Sequence, residues 1–359
     1  MAPRALPEAE LREAVRLVEE GYSAGLGTGE AIDYARKAMG LLVRQNIYDR
    51  VRMAKDRLDL EPDESLIRPA RYQQPVAKLH LTPASAPDQK IFAPTGRRSR
   101  VLFIPDEHND PRHPHRLDVQ TWIARYGSEH RHDYVVKAGD SGTFDSVSKH
   151  DKDDTLRARL KPGIKDDLTN HLESLKAFER GRDPDWKPRK KKTRGNHEQR
   201  LYAFENENPA SAQTHTLAYE EALLQFGWQE RPYAEIIYIE GVGFSHNPMN
   251  GMGRPMGGKT APHRAAAMLT SSFVYGHTHK FSIYTDPKMG QGAPITIIEG
   301  GCALPYGEIE DYALHSPTGW SYGVVDMICQ DGLILDVSFV SMLSLRDRYS
   351  SDGADVRAA

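Results

Sequence analysis

The chain has 359 residues, 39% of them hydrophobic, and 47 Lys and Arg against 50 Asp and Glu give a formal net charge of −3. That length holds one large domain or two ordinary ones. No apolar stretch approaches the roughly 20 residues of a membrane span, the start MAPRALPEAELREAV has no apolar signal core, and the charge excludes a chain-wide basic field, so nucleic-acid contact would need local patches.

From Glu8 to Glu20, Leu11, Val15, Leu17 and Val18 recur among charged residues, which predicts an amphipathic helix ended by Gly21. Gly25 to Gly29 is a breaker cluster in which Thr28 can cap a second helix, Glu30 to Met39. Gly40 turns the chain into a third, from about Arg44 to Leu58. Two helices joined by a short glycine turn behind a supporting helix have the outline of a helix-turn-helix. In that reading Arg44, Gln45, Asn46 and Arg50 face phosphates or bases. The competing reading is a packing or dimerisation module, favoured by Asp49 and Asp56, which weaken a basic face. Residues 61–96 carry prolines at 62, 69, 75, 83, 87 and 94 without periodicity, as a linker does.

Val101 to Ile104 is a short apolar run that predicts a buried strand, with Asp106 and His108 just beyond its end. Alternation puts those two on one side of an extended chain, able to grip one ion. His113 and His115 read as loop residues facing solvent or substrate. After a helix over Leu117 to Tyr126, Tyr134 to Val136 leads to Gly139-Asp140. Residues 151–181 are strongly charged, and Leu156, Leu160, Ile164, Leu168, Leu172, Leu175 and Phe178 recur at helical spacing, which predicts that they face the core. Arg189, Lys190, Lys191 and Lys192 read either as a strip guiding a phosphate polymer or as a strand with solvated lysines. They precede Gly195-Asn196-His197-Glu198, where Asn196 offers a carbonyl oxygen to a cation and His197 a proton near neutral pH.

A strand over 242–246 ends at His246, and Phe273 to Tyr275 ends at Gly276-His277-Thr278-His279. The glycine-rich stretch 250–259 lacks P-loop spacing and reads as a flap. Strands at 296–298, 322–328 and 333–340 are expected to close a second sheet, Trp320 to pack, and the tail 346–359 to be polar and disordered. Cys302 and Cys329 make no disulfide framework, so a reducing cytoplasm is expected.

Taken together, Asp106-x-His108, Gly139-Asp140, Gly195 to Glu198, His246 and Gly276-His277-x-His279 resemble the motif series of the calcineurin-like metallophosphoesterases, over about Val101 to Val340. Phage-type phosphoesterases with a small N-terminal DNA-binding module are the nearest resemblance, since an Asp-Ser-Val-Ser-Lys-His run follows the second motif. The resemblance implies an α/β fold, a four-layer αββα sandwich of two mixed sheets spanning 97–345, preceded by an all-α module at 1–60. It implies two divalent ions, Mn first, with Fe, Zn or Mg as alternatives. Asp106, His108, Asp140 and His279 would hold one; Asp140, Asn196, His246 and His277 the other. The shared water between them attacks phosphorus in line, and His197 protonates the leaving oxygen with help from nearby carboxylates. The implied activity is phosphodiester hydrolysis on DNA in a host cytoplasm, with no membrane partner and a homo-oligomer allowed by the helical module. A phosphatase for phosphoproteins or small monoesters, and a DNA-binding scaffold with a vestigial metal site, are the alternatives. Where the family has G-D-x-x-D/N, this chain has Asp145 one place further on, which makes Asp145 a supporting residue.

Overall fold

The computed structural model describes residues 6–43, 45–60, 62, 95–149, 161–288, 293–310, 313 and 319–350. Arg44, Leu156, Leu160, nearly all of the expected linker and the end of the expected tail lie outside the described residues. The chain divides into two compact units, Met1–Gln89 and Lys90–Ala359.

In the first unit, α1 (Glu8–Ser23), α2 (Thr28–Ala38) and α3 (Gln45–Leu58) pack around Leu17, Val18, Tyr22, Ala31, Ile32, Ala35 and Ile47. Gly21 does not end α1. The helix runs on to Ser23, because Gly21 is where α2 crosses it: a Cβ there would lie 2.8 Å from Ala31 Cβ. Nor does Thr28 cap α2. Gly27 holds the cap position, and its amide donates to the Glu30 carboxylate at 3.2 Å.

The second unit begins with β1 (Ser99–Ile104), α4 (Arg116–His130), β2 (Tyr134–Lys137), α5 (Ile164–Gly181) and β3 (Arg189–Thr193). It continues through α6 (Asn196–Glu207), α7 (His215–Gln225), β4 (Gln229–Arg231), β5 (Ile237–Ile239), β6 (Val242–Ser245), α8 (Ala261–Met268), β7 (Phe273–Tyr275), β8 (Phe281–Asp286) and β9 (Ile295–Gly300). The last elements are β10 (Gly323–Gln330), β11 (Leu333–Ser341) and α9 (Met342–Tyr349). Two mixed sheets result, ordered β11-β10-β1-β2-β3-β4 and β5-β6-β7-β9-β8. β1 to β4 run parallel, as do β6, β7 and β9.

The two-residue period of β1 sorts the layers. Leu102 and Ile104 meet Trp122, Ile123, Leu175 and Phe178 of α4 and α5. Val101 and Phe103 point the other way, against Phe244, Val274 and Ile298 of the second sheet. That sheet's outer face covers Ala261, Ala265 and Ala266 of α8. Helices, sheet, sheet and helix therefore form a four-layer sandwich. β10 and β11 do not close the second sheet as expected. They return to the first, where β10 lies antiparallel to β1, so only β9 of the three late strands joins the second. The expected tail also starts late, since α9 runs to Tyr349 and buries Met342 and Leu345. Cys302 and Cys329 are buried free thiols, and no helix among the described residues is long and apolar enough to cross a membrane.

Candidate metal centre

Five parallel strands end at one place. β1 delivers Asp106 and His108, β2 delivers Asp140, β3 delivers Asn196 and His197, β6 delivers His246, and β7 delivers His277 and His279. Ligands gather beyond the carboxyl ends of parallel strands because the chain must loop there, and loops can aim several side chains inward.

Close backbone approach makes the convergence possible. At Gly195 a Cβ would fall 2.1 Å from Asp140 Oδ1, and at Gly276 one would fall 2.1 Å from Asp106 Oδ2. No larger residue fits either place. His108, Asp140, His277 and His279 all have positive φ, at 37°, 48°, 68° and 57°. Such conformations cost non-glycine residues about 1–3 kcal/mol each and persist only where surrounding structure enforces them. Part of the enforcement is Glu198, fully buried at the start of α6. Its carboxylate accepts from the amides of Asp140 (2.8 Å), Ser141 (2.7 Å) and Gly195 (2.9 Å), from Ser141 Oγ (2.7 Å) and from Lys192 Nζ (3.0 Å). Burial works to raise its pKa, but Lys192 and the Ser141 donors prevail and hold it at about 2. Likewise Asp106 accepts the His277 amide, at 3.0 and 2.8 Å to its two oxygens.

Two groups of donors emerge. Asp106, His108 and His279 form one, with His108 Nε2 3.2 Å from His279 Nε2 and His279 Nε2 3.5 Å from Asp106 Oδ1. Asp140, His246 and His277 form the other, joined by Asn196, whose Oδ1 is 2.8 Å from His246 Nε2 and 3.0 Å from His277 Nδ1. Asp140 Oδ2 reaches toward both, 4.0 Å from His108 Nε2 and 3.3 Å from His246 Nε2. His108 Nε2 and His279 Nε2, 3.2 Å apart with Asp106 and Asp140 nearby, face one another as two neutral rings would if both lone pairs were offered to one cation. This mix of imidazole and hard oxygen fits a pair of divalent first-row ions. Burial, followed by the rings of His197 and His279, holds His108 well below the usual imidazole range, and burial with His246 takes His277 to about 4. Neutral imidazoles are what a metal requires. His246 moves the other way, to about 9, because the Asp140 carboxylate outweighs its burial.

His197 stands beside the two groups. Its backbone amide donates to Asp140 Oδ1 at 2.8 Å, and its Nδ1 lies 2.7 Å from Thr143 O. The Thr143 carbonyl therefore orients the ring, while the Asp140 and Glu198 carboxylates favour its protonated form against burial, which disfavours it. Nε2 faces Asp140 Oδ2 at 3.9 Å and the Arg200 guanidinium at 3.1 Å. Arg200, one helical turn into α6, is also 3.6 Å from Asp145, which lies 3.7 Å from Arg112 on its other side. Asp145 thus separates two arginines at the edge of the site. Arg200 was legible only as an ordinary helix residue, since nothing in its spacing marks it.

The remaining expected contacts are dispersed. Lys192 is fully buried and bound by Glu198 and Glu230, and Lys190 is taken by Glu179 and the Phe226 carbonyl. Alternate residues of a strand face opposite layers, so the four basic residues of β3 cannot form one solvent-facing strip. Arg189 is exposed and bonds Tyr134, and Lys191 bonds Gln229. In the first unit Arg50 is half-buried and paired with Glu10 at 3.2 Å, and its Nη1 donates to the Asn46 carbonyl. Gln45 begins α3. Trp320 sets its ring edge-on to His279 at 4.3 Å, so its packing is against a candidate ligand. His115 is exposed and bonds Asp118, as a surface residue would, whereas His113 is buried.

No protein-family model matches the sequence, and no curated protein matches it. Solved structures align weakly. TT1561 of Thermus thermophilus aligns with 7% identity and a TM-score of 0.32, over 57% of this chain and 90% of its own. A Vps29 complexed with zinc, from Entamoeba histolytica, aligns with 14% identity and a TM-score of 0.28, over 68% of this chain and 99% of its own.

Proposed function

We propose that the chain is a phosphoesterase dependent on two divalent ions. One observation carries this reading: seven side chains from five strand ends converge as two adjacent donor groups, with Asp140 reaching both. Asp106, His108, Asp140 and His279 would hold one ion, and Asp140, Asn196, His246 and His277 the other. When bound, such ions would supply Lewis acidity toward phosphoryl oxygens and toward an attacking water. The protein's own groups do the rest. Glu198 fixes the turns at Asp140 and Gly195 so that the donors stay in register. Thr143 O accepts from the Nδ1–H of His197 and so turns Nε2 toward the site, and it is the doubly protonated ring, with its second proton on Nε2, that would give a proton to the leaving-group oxygen. Arg200 occupies that face now and is positioned to meet a substrate phosphate oxygen when the ester enters.

For the substrate, we favour a phosphodiester in DNA, which makes the chain a nuclease that uses Mn. The three-helix unit supports this, since it keeps Arg52 and Tyr48 exposed on α3. A phosphomonoesterase is the second reading, favoured by the internal pairing of Lys190 and Lys192, which removes much of a polymer track. Hydrolysis of bis-p-nitrophenyl phosphate and p-nitrophenyl phosphate with added Mn separates them. The expected result is diester preference, abolished in Asp140→Asn. Monoester preference would establish the phosphatase, and no turnover with Mn, Fe, Zn or Mg would sink both. His197→Ala should cost about 10²–10⁴-fold in kcat on a diester with an alkoxide leaving group, and far less on p-nitrophenyl esters, whose leaving group needs no proton.

A further inference from the structure

Five consecutive polar residues, Asp106 to Asp110, are buried beyond β1. Most are accounted for. Asp106 and His108 belong to the centre above, Glu107 takes Lys137 Nζ at 2.5 Å, and Asn109 Nδ2 donates to Ser141 O at 2.7 Å. Asp110 accepts the Arg112 amide at 2.8 Å and its guanidinium. Three residues on, His113 is 8% exposed, and its Nδ1 has no hydrogen-bond partner among the described residues. Asp110, His113 and Glu310 place one oxygen, one nitrogen and one oxygen within 4.8 Å of one another, and all three residues are buried. None of them belongs to the two donor groups already described.

His113 Nδ1 and Glu310 Oε1 are 4.0 Å apart. That is too long for a hydrogen bond. It falls within the roughly 3.0–4.2 Å that separates two ligands each about 2.1 Å from one ion, near the wide-angle end of that range. We propose that Asp110, His113 and Glu310 form a third cation site, which takes a divalent first-row ion such as Mn or Zn, with water completing its coordination. Arg112 does not block it, because an ionised carboxylate has about four acceptor positions and the guanidinium uses only some of them. The site would act as a clamp. Asp110 and His113 lie on the loop that carries Asp106 and His108, and Glu310 follows β9. The two segments already run together where the Ala303 amide donates to Asp106 O at 2.9 Å. An ion here ties them a second time and braces the catalytic loop from outside the catalytic centre.

The test counts ions and locates them. Chelator-stripped full-length protein is dialysed against MnCl2, and bound Mn per chain is measured for the wild type, His113→Ala and Glu310→Gln. Each variant is expected to bind one ion fewer than the wild type, whatever the total. Equal counts in folded variants would overturn the site. Crystals of the wild type soaked in MnCl2, and separately in ZnCl2, give a second answer that needs no variant. An anomalous peak about 2.2 Å from His113 Nδ1 is expected, and its absence with both ions would overturn the site even if both variants failed to fold. Because the readout is occupancy and position, it is independent of whether the protein hydrolyses any ester.

Discussion

Glu198 shows how much one side chain can do without touching a substrate. It satisfies three backbone amides, a hydroxyl and a buried ammonium at once. Glu198→Gln would keep the shape but turn an NH2 toward N–H donors and leave Lys192 with the Glu230 carboxylate and the Thr193 carbonyl. Breaking a buried pair in this way costs about 3–5 kcal/mol, to be measured as a lowered urea midpoint without a change in slope. His171 makes a different residue-level prediction. It is buried against Phe144 and Tyr219, its Nε2 has no hydrogen-bond partner, and burial with the nearby Lys192 charge takes its pKa down to about 3. The unfolded chain binds a proton there at about pH 6.5 and the folded chain does not until about pH 3. Its neutral form therefore suits the fold above pH 6.5, and stability drains away as pH falls from 6.5 toward 3. The slope is about 1.4 kcal/mol per pH unit at most. His171→Gln should remove that component, so the stability gap between wild type and variant should shift by about 2 kcal/mol between pH 7 and pH 5. An unchanged gap would mean that the imidazole is already protonated in the fold.

At the level of elements, the sequence was most legible where apolar runs are short and bounded. Val101 to Ile104 and Phe273 to Tyr275 are strands as read, because consecutive apolar residues between polar ends fit a strand buried on both faces. Asp106, His108 and His279 were legible because each stands just beyond such a run. The polar cluster at Asp110, His113 and Glu310 was not, since its third member comes from about two hundred residues away and sequence spacing carries no trace of that pairing. β8 and α8 were missed for another reason. β8 alternates partly exposed residues, and α8 is too short and alanine-rich to show a stripe. Gly21 misled in the opposite direction, since a glycine within a helix reads as a stop when it can equally mark a crossing. Gly21→Val should therefore disrupt the α1–α2 contact by overpacking, at about 1–3 kcal/mol. Faster hydrogen exchange at the amides of α1 and α2 would show it, and unchanged protection there would refute the crossing as the reason for glycine.

For the molecule as a whole, the donor groups all lie in the second unit, where buried carboxylates and imidazoles are held close together. A chelator should destabilise that unit, because ions that bind only the folded state stabilise it by mass action, by about 2.7 kcal/mol at a hundredfold excess over Kd. Thermal unfolding with Mn, and then with excess chelator, reads this directly. A melting temperature indifferent to both would argue against any bound ion.

The pairing of β1 with β10 has a consequence for the chain while it is being made. β1 is the scaffold for Asp106 and His108, yet Phe103 must wait for Val325 to cover one of its edges. β2, the neighbour on the other side, is synthesised soon after β1. At a translation rate of about 5–20 residues per second, the β10 side of β1 stays open for at least about ten seconds. All seven candidate ligands have emerged by then, and the donors can gather before the sheet beneath them is complete. During that interval the nascent chain presents an apolar strand with unpaired amides to whatever else is nearby. A ribosome-associated chaperone, or early capture of an ion, would matter most in that window.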